Sequence, residues 1–183
     1  MLTKSDYNKF LQCVKYLWLN KYRKDLLVEV TETQQAVFDQ GYKVEDYAHL
    51  LFPEGTESTK DLFESERETV KLIAKKTPVI YQATAVADYN KTKRLLLCRA
   101  DIIAFNHKTG CYDLYEVKST TQPKQEHLPD IAFQKLTFQK AGYKIAELGV
   151  EYLGKPSGKS SVTFREVVKI GVDLFRYRFG GMK

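Results

Sequence analysis

The sequence predicts a mixed α/β domain: a central β-sheet flanked by helices, preceded by a helical N-terminal segment. Three observations lead there. Apolar residues recur at helical spacing through the first 76 residues. From residue 78 onward, runs rich in β-forming residues follow one another across short polar turns. A capped helical stretch and another strand pattern come next. The resulting order, helices and then β-β-β-α-β, lays helices against one sheet.

In the first segment, Tyr7, Phe10, Leu11, Val14, Leu17 and Trp18 share a helical stripe, with Thr3 or Ser5 as the cap. Lys9, Lys15 and Lys21 take its polar face. A second helix is expected over about 32–51, turning Val37, Val44, Ala48 and Leu51 to the core and stopping before Pro53. "PEGTESTK" (53–60) is a polar connection. A third helix over 61–76 points Leu62, Val70 and Ile73 inward.

"PVIYQATAVADY" (78–89) is the first expected strand. "KRLLLCRADIIAFN" (93–106) is almost continuously apolar, as a central strand covered on both faces is. "HKTG" (107–110) is a hairpin turn and "CYDLYEVKS" (111–119) the returning strand. Asp130 is the predicted cap of a helix over about 131–142. "KIAELGVEYLG" (144–154) is a fourth strand and "KPSGKSS" (155–161) a loop. "EVVKIGVDLFRY" (166–177) alternates Val168, Ile170, Val172 and Leu174 as a last strand.

A chain of 183 residues suits one domain, with residues 1–76 as the helical part and 77–183 as the sheet-containing core. Hydrophobic residues at 43% and charged residues at 28% are ordinary for a soluble globular protein. No apolar run approaches the roughly 20 residues that span a bilayer. "MLTKSDYNKF" lacks a signal peptide's apolar core. The expectation is a cytoplasmic protein with no membrane partner. Cys13, Cys98 and Cys111 have no metal-ligand spacing and are expected as buried free thiols. His49, His107 and His127 are scattered. A net charge of +6 and a pI near 9.0 suit a polyanionic partner.

The chemistry concentrates around the hairpin. Counting about its centre near residues 108–109 places Asp101 opposite Glu116, while Lys118 shares the face of Glu116. Asp113 falls on the opposite face. Paired carboxylates suit a hard divalent cation, and an adjacent lysine suits a developing phosphate charge. Asp101 ends an apolar run, where an unpaired carboxylate is costly. A bare Glu-x-Lys in a strand is more often a solvated ion pair; it is Asp101 that shifts the balance.

Asp101, fourteen residues, then Glu116-Val117-Lys118 resembles the D…ExK signature of the PD-(D/E)XK nuclease superfamily. "QKAGY", with Gln139 and Tyr143 four apart, resembles the QxxxY motif of its RecB-type branch. "GYKVE" (41–45) resembles that branch's upstream GxxxH motif, with Glu45 where His is common. The resemblance implies a restriction-endonuclease-like core and DNA cleavage, on single or double strands, with Mg²⁺ or Mn²⁺. It implies that Asp101, Glu116, the carbonyl of Val117 and Glu45 hold the metal, that Lys118 is the catalytic lysine, and that Gln139 and Tyr143 position substrate. It also points to DNA repair or phage defence, and to an additional domain or a helicase-type partner. Some relatives tie their ends together with a four-cysteine iron–sulfur cluster. Cys13 resembles the first ligand, but no cysteine follows Cys111, so no cluster is expected. The alternative is a catalytically silent DNA- or partner-binding module on the same fold.

Overall fold

The computed structural model describes residues 1–120 and 127–152. The expected loop at 155–161 and last strand at 166–177 lie outside the described residues. The chain runs β1 (Leu2–Thr3), α1 (Lys4–Gln12), α2 (Val14–Tyr22), α3 (Glu32–His49), β2 (Gly55–Glu57), α4 (Leu62–Ala74), β3 (Val79–Asp88), β4 (Leu95–Asn106), β5 (Cys111–Lys118), α5 (His127–Lys140) and β6 (Ile145–Tyr152). It is a mixed α/β fold. The sheet order is β2-β3-β4-β5-β6, with β1 also on β4. The β3–β4 and β4–β5 pairs are antiparallel; β2–β3, β5–β6 and β1–β4 are parallel. Among the described residues no helix is long and apolar enough to cross a membrane.

The first helical stripe is broken in two at Cys13, whose backbone is extended. Thr3 caps α1 in a reciprocal box: its Oγ1 accepts from the Asp6 amide and its own amide donates to Asp6 Oδ2. Lys21 Nζ of α2 donates to the same Asp6 oxygen at 2.7 Å. Only Tyr7 and Leu17 of the expected stripe are buried; Leu11, Val14 and Trp18 are exposed.

The main core lies between the sheet and α5, where Leu96, Cys98, Ile103 and Leu114 pack on Ile131, Phe133 and Phe138. A smaller core on the other face joins Val79, Tyr81 and Ile102 to Ala48 of α3. Two inward faces differ from expectation. In α3 only Val44 and Ala48 are buried, while Val37 and Leu51 are exposed. In α4 Ile73 is half-buried against the main core as expected, but the buried residues are Ser65 and Thr69, with Leu62 and Val70 exposed. The reason is a hydrogen-bonded seam. Ser65 meets Thr84 Oγ1 at 2.7 Å and also Ser58, and Thr69 Oγ1 accepts from the Thr84 amide at 2.9 Å. Satisfied hydroxyls replace aliphatic packing there.

Regular alternation fails in β3 and β4 at the same level. Ile80, Ala83 and Ala85 of β3 pack in the α5 layer, as do Cys98, Ala100 and Ile103 of β4. Tyr81 and Ile102 pack in the other. Residues three apart in a regular strand lie on opposite faces. Each strand therefore carries one extra residue, Gln82 and Asp101, between the pairs Tyr81↔Ile102 and Ala83↔Ala100. Gln82 adopts φ +54°, a left-handed conformation that is unusual outside glycine.

Candidate active site

The site forms where two strand ends meet on β4. The pairs Ile102↔Tyr115 and Ile103↔Leu114 put Asp101 opposite Glu116 when the ladder is extended by one residue. β1 takes the same side of β4 further back, with Thr3↔Leu97. The C-terminal end of β5 and the C-terminal end of β1 thus approach head to head. Lys118 and Lys4 arrive together over Asp101 and Glu116. A cavity of about 500 Å³ opens there, lined by Lys4, Phe38, Tyr42, Glu45, Asp101, Glu116, Val117 and Lys118, among others.

Glu116 is almost fully buried, and both its oxygens are engaged. Lys4 Nζ lies 3.0 and 3.1 Å from them. Lys118 Nζ donates to Oε1 at 2.5 Å and Gln134 Nε2 to Oε2 at 2.5 Å. Lys118 also donates to Asp130 Oδ2 at 2.5 Å, and Lys4 stands 3.7 Å from Asp130 Oδ1. Asp101 Oδ2 accepts from the Val117 amide at 2.7 Å. Glu45 Oε1 accepts from Gln82 Nε2, so the strained residue opposite Asp101 also fixes the carboxylate contributed by α3.

The electrostatics follow from these contacts. Burial alone would raise the Glu116 carboxyl, but Lys4 and Lys118 outweigh it and hold it well below the usual range. Burial would lower both ammoniums, yet Glu116 and then Asp130 raise them. Among the described residues no ammonium lies at hydrogen-bond distance from Asp101. Its removal from water, and then the charge of Glu116, push it up to about 8. Burial likewise raises Asp130 and Glu45. Among the described residues, four carboxyls (Glu45, Asp101, Glu116 and Asp130) stand against two ammoniums, a deficit of two positive charges. The charge of Glu116 adds to burial in raising Asp101 and Asp130. A divalent cation would offset that excess of negative charge.

The donor chemistry fits such an ion. Asp101, Glu116, Glu45 and the Val117 carbonyl are oxygen donors, as hard divalent cations require. Asp130 Oδ1 and Gln134 Oε1 are buried without a hydrogen-bond partner. Among the described residues no three acid, His or Cys side chains are grouped closely enough to hold a metal as they stand. The two ammoniums occupy the space around Glu116.

The site gathers Glu45, Asp101, Glu116, Val117 and Lys118. It does not gather Gln139 and Tyr143. α5 ends at Lys140, and Gly142 at φ +93° reverses the chain. Gln139 is exposed on the last turn, and Tyr143, past the helix, packs on Phe138 with ring centroids 5.8 Å apart. The two therefore share no helical face. The glutamine-to-aromatic spacing of four recurs at Gln134 and Phe138, both fully buried, and it is Gln134 that reaches Glu116. Asp130 is not a cap either. The helix starts at His127, and Asp130 turns into the site to bind Lys118. Asp113 lies away from it, accepting from Asn106 Nδ2 and the Glu147 amide. Cys13 is exposed and Cys111 partly so, leaving only Cys98 buried.

Sequence spacing missed Lys4, Gln82, Asp130 and Gln134. Asp130 and Gln134 carried a signal, being two polar residues one turn apart that flank the apolar Ile131, Ala132 and Phe133. Lys4 carried none, since 112 residues separate it from Glu116.

No protein-family model matches the chain, and no curated protein matches it. Among solved structures it is similar to the crystal structure of SSO0001, at 17% identity and a TM-score of 0.48, over 95% of this chain and 74% of that one.

Proposed function

We propose that this chain is a divalent-metal-dependent deoxyribonuclease that hydrolyses phosphodiester bonds by water attack. The observation that carries this reading is the two-charge deficit at the point where Asp101, Glu116 and Lys118 converge beneath an open cavity. Asp101, Glu116, Glu45 and the Val117 carbonyl would hold Mg²⁺ or Mn²⁺. When bound, such an ion supplies Lewis-acid polarisation of a phosphate oxygen and of the attacking water. The Val117 amide orients Asp101 for this, and its carboxyl would be ionised when it holds such an ion. Lys118, anchored between Glu116 and Asp130, offsets charge on the phosphate. Gln134 fixes the Glu116 carboxylate from behind. The net charge of +6 suits a polyanionic substrate such as DNA. A further domain or a helicase-type partner belongs to the same proposal.

A second reading has its own observation. Both oxygens of Glu116 are already satisfied by protein donors, as a silent DNA- or partner-binding module of this fold would have them. Cleavage assays on single- and double-stranded DNA with Mn²⁺ separate the two. The nuclease reading expects turnover by the wild type that Asp101→Asn and Lys118→Met each abolish. Equal activity in all three sinks it. Salt-sensitive DNA binding without turnover supports the silent module.

A further inference from the structure

The chemistry proposed above leaves Lys4 without a role, yet among the described residues it is Lys4 whose ammonium bridges both oxygens of Glu116. We propose that Lys4 is the built-in counter-cation of this site: its ammonium occupies Glu116 in the cation-free protein and exchanges with Mg²⁺ or Mn²⁺ when the ion binds. The inference rests on the nuclease reading only in taking Asp101 and Glu116 as ligands of that ion.

The geometry separates Lys4 from Lys118. Lys118 has two anchors at hydrogen-bond distance, Glu116 and Asp130, each at 2.5 Å. Lys4 has Glu116 at 3.0 Å, while Asp130 stands off at 3.7 Å. An ion coordinated to Glu116 at about 2.0–2.6 Å cannot share the carboxylate with an ammonium astride both oxygens, because like charges that close repel strongly. Of the two ammoniums, the singly anchored one leaves.

The backbone of Lys4 does not follow. Leu2 and Thr3 pair with Leu96 and Leu97 of β4. The Thr3–Asp6 box closes the first turn of α1. Tyr7 is buried against Phe133 with ring centroids 5.4 Å apart. The exchange is therefore a swing of the flexible four-carbon stem. Lys4 lines the cavity, so the displaced ammonium stays within it.

Calorimetric titration of the full chain with Mn²⁺ at pH 7.5 tests this on the wild type, Lys4→Gln, Lys4→Arg and Glu116→Gln. Lys4→Gln is expected to bind Mn²⁺ at least tenfold more tightly than the wild type. Lys4→Arg, which keeps the charge, is expected to bind no more tightly. Without metal, Lys4→Gln is expected to melt at a lower temperature, and saturating Mn²⁺ to raise its Tm by more than it raises that of the wild type. Should Lys4→Gln be unfolded without metal, recovery of its helical circular dichroism on adding Mn²⁺ supports the proposal, and no recovery overturns it. Wild-type binding that depends on Glu116, with unchanged or weaker binding by folded Lys4→Gln, overturns the role of Lys4 and leaves the metal site standing. Binding that survives Glu116→Gln, or no binding by any form, overturns both.

Discussion

Gln82 and Asp101 face each other across β3 and β4, each the one extra residue at which its strand changes faces. The paired irregularity releases Asp101 from the core pattern of its apolar strand. It also sends the Gln82 amide to Glu45 on α3. A backbone conformation with φ +54° costs a non-glycine residue about 1–2 kcal/mol and persists where surrounding structure enforces it.

That cost makes substitutions at Gln82 diagnostic. Gln82→Gly relieves the backbone and loses only the contact to Glu45, so its stability is expected within about 1 kcal/mol of wild type. Gln82→Val puts a β-branched residue in the same conformation and is expected to lose about 2 kcal/mol or more. Urea denaturation of both variants reads the difference.

Gln134 and Gln139 give opposite expectations on one helix. Gln134 is fully buried and donates to an ionised carboxylate, so Gln134→Ala is expected to lose about 1.5–3 kcal/mol for that hydrogen bond, with a cavity cost besides. Gln139→Ala, on the exposed last turn, is expected to stay within about 0.5 kcal/mol of wild type. Chemical denaturation curves for the pair check both.

The pH dependence of stability follows from Asp101. Its carboxyl stands at about 8 in the folded chain, against an ordinary value of 3.8. Between those values the folded chain binds a proton that the unfolded chain does not. Its contribution is therefore full below about pH 3.8 and is lost as pH rises toward 8. Asp130 and Glu45, also raised, act in the same direction. Glu116, held low, acts oppositely, and its contribution is complete once pH exceeds its ordinary 4.5. The metal-free wild type is expected to lose Tm between pH 5 and 8, and Asp101→Asn to lose less. Parallel melting profiles would contradict this assignment.

Ion binding at this site is expected to expel that proton. At pH 7, Mn²⁺ titrations in buffers of different ionisation enthalpy should show release of about one proton per ion. Asp101→Asn should remove the buffer dependence together with most of the affinity. Binding heats that do not change with the buffer would show that Asp101 is not the group displaced.

The sheet was legible because its signals are local. The apolar run on both sides of Asp101 and the four-residue turn locate the hairpin, and counting from its centre places Asp101 opposite Glu116. The helical faces were less legible. α4 buries Ser65 and Thr69 in a hydroxyl seam that hydrophobic periodicity cannot register. α3 leaves Phe38 and Tyr42 on the cavity wall, half-exposed or more, where a core stripe would have buried them. The face change at Gln82 had no signal, since glutamine has no marked preference for the left-handed region. The glutamine assigned to the site was displaced from Gln134 to Gln139, because α5 ends two residues before Gly142.

The meeting of β1 with the end of β5 also orders events in time. The Lys4–Glu116 contact closes a loop of 112 residues, whereas the hairpin bearing Asp101 and Glu116 closes through a four-residue turn. Loop-closure entropy favours the hairpin first. A chain with β4 and β5 formed but β1 undocked would hold Asp101 and Glu116 beside Lys118 and without Lys4. The backbone beside Leu96 and Leu97 would then be an open edge, available to another chain. Docking of the N-terminal strand would then be the step that both neutralises the acids and shuts the edge against misassembly.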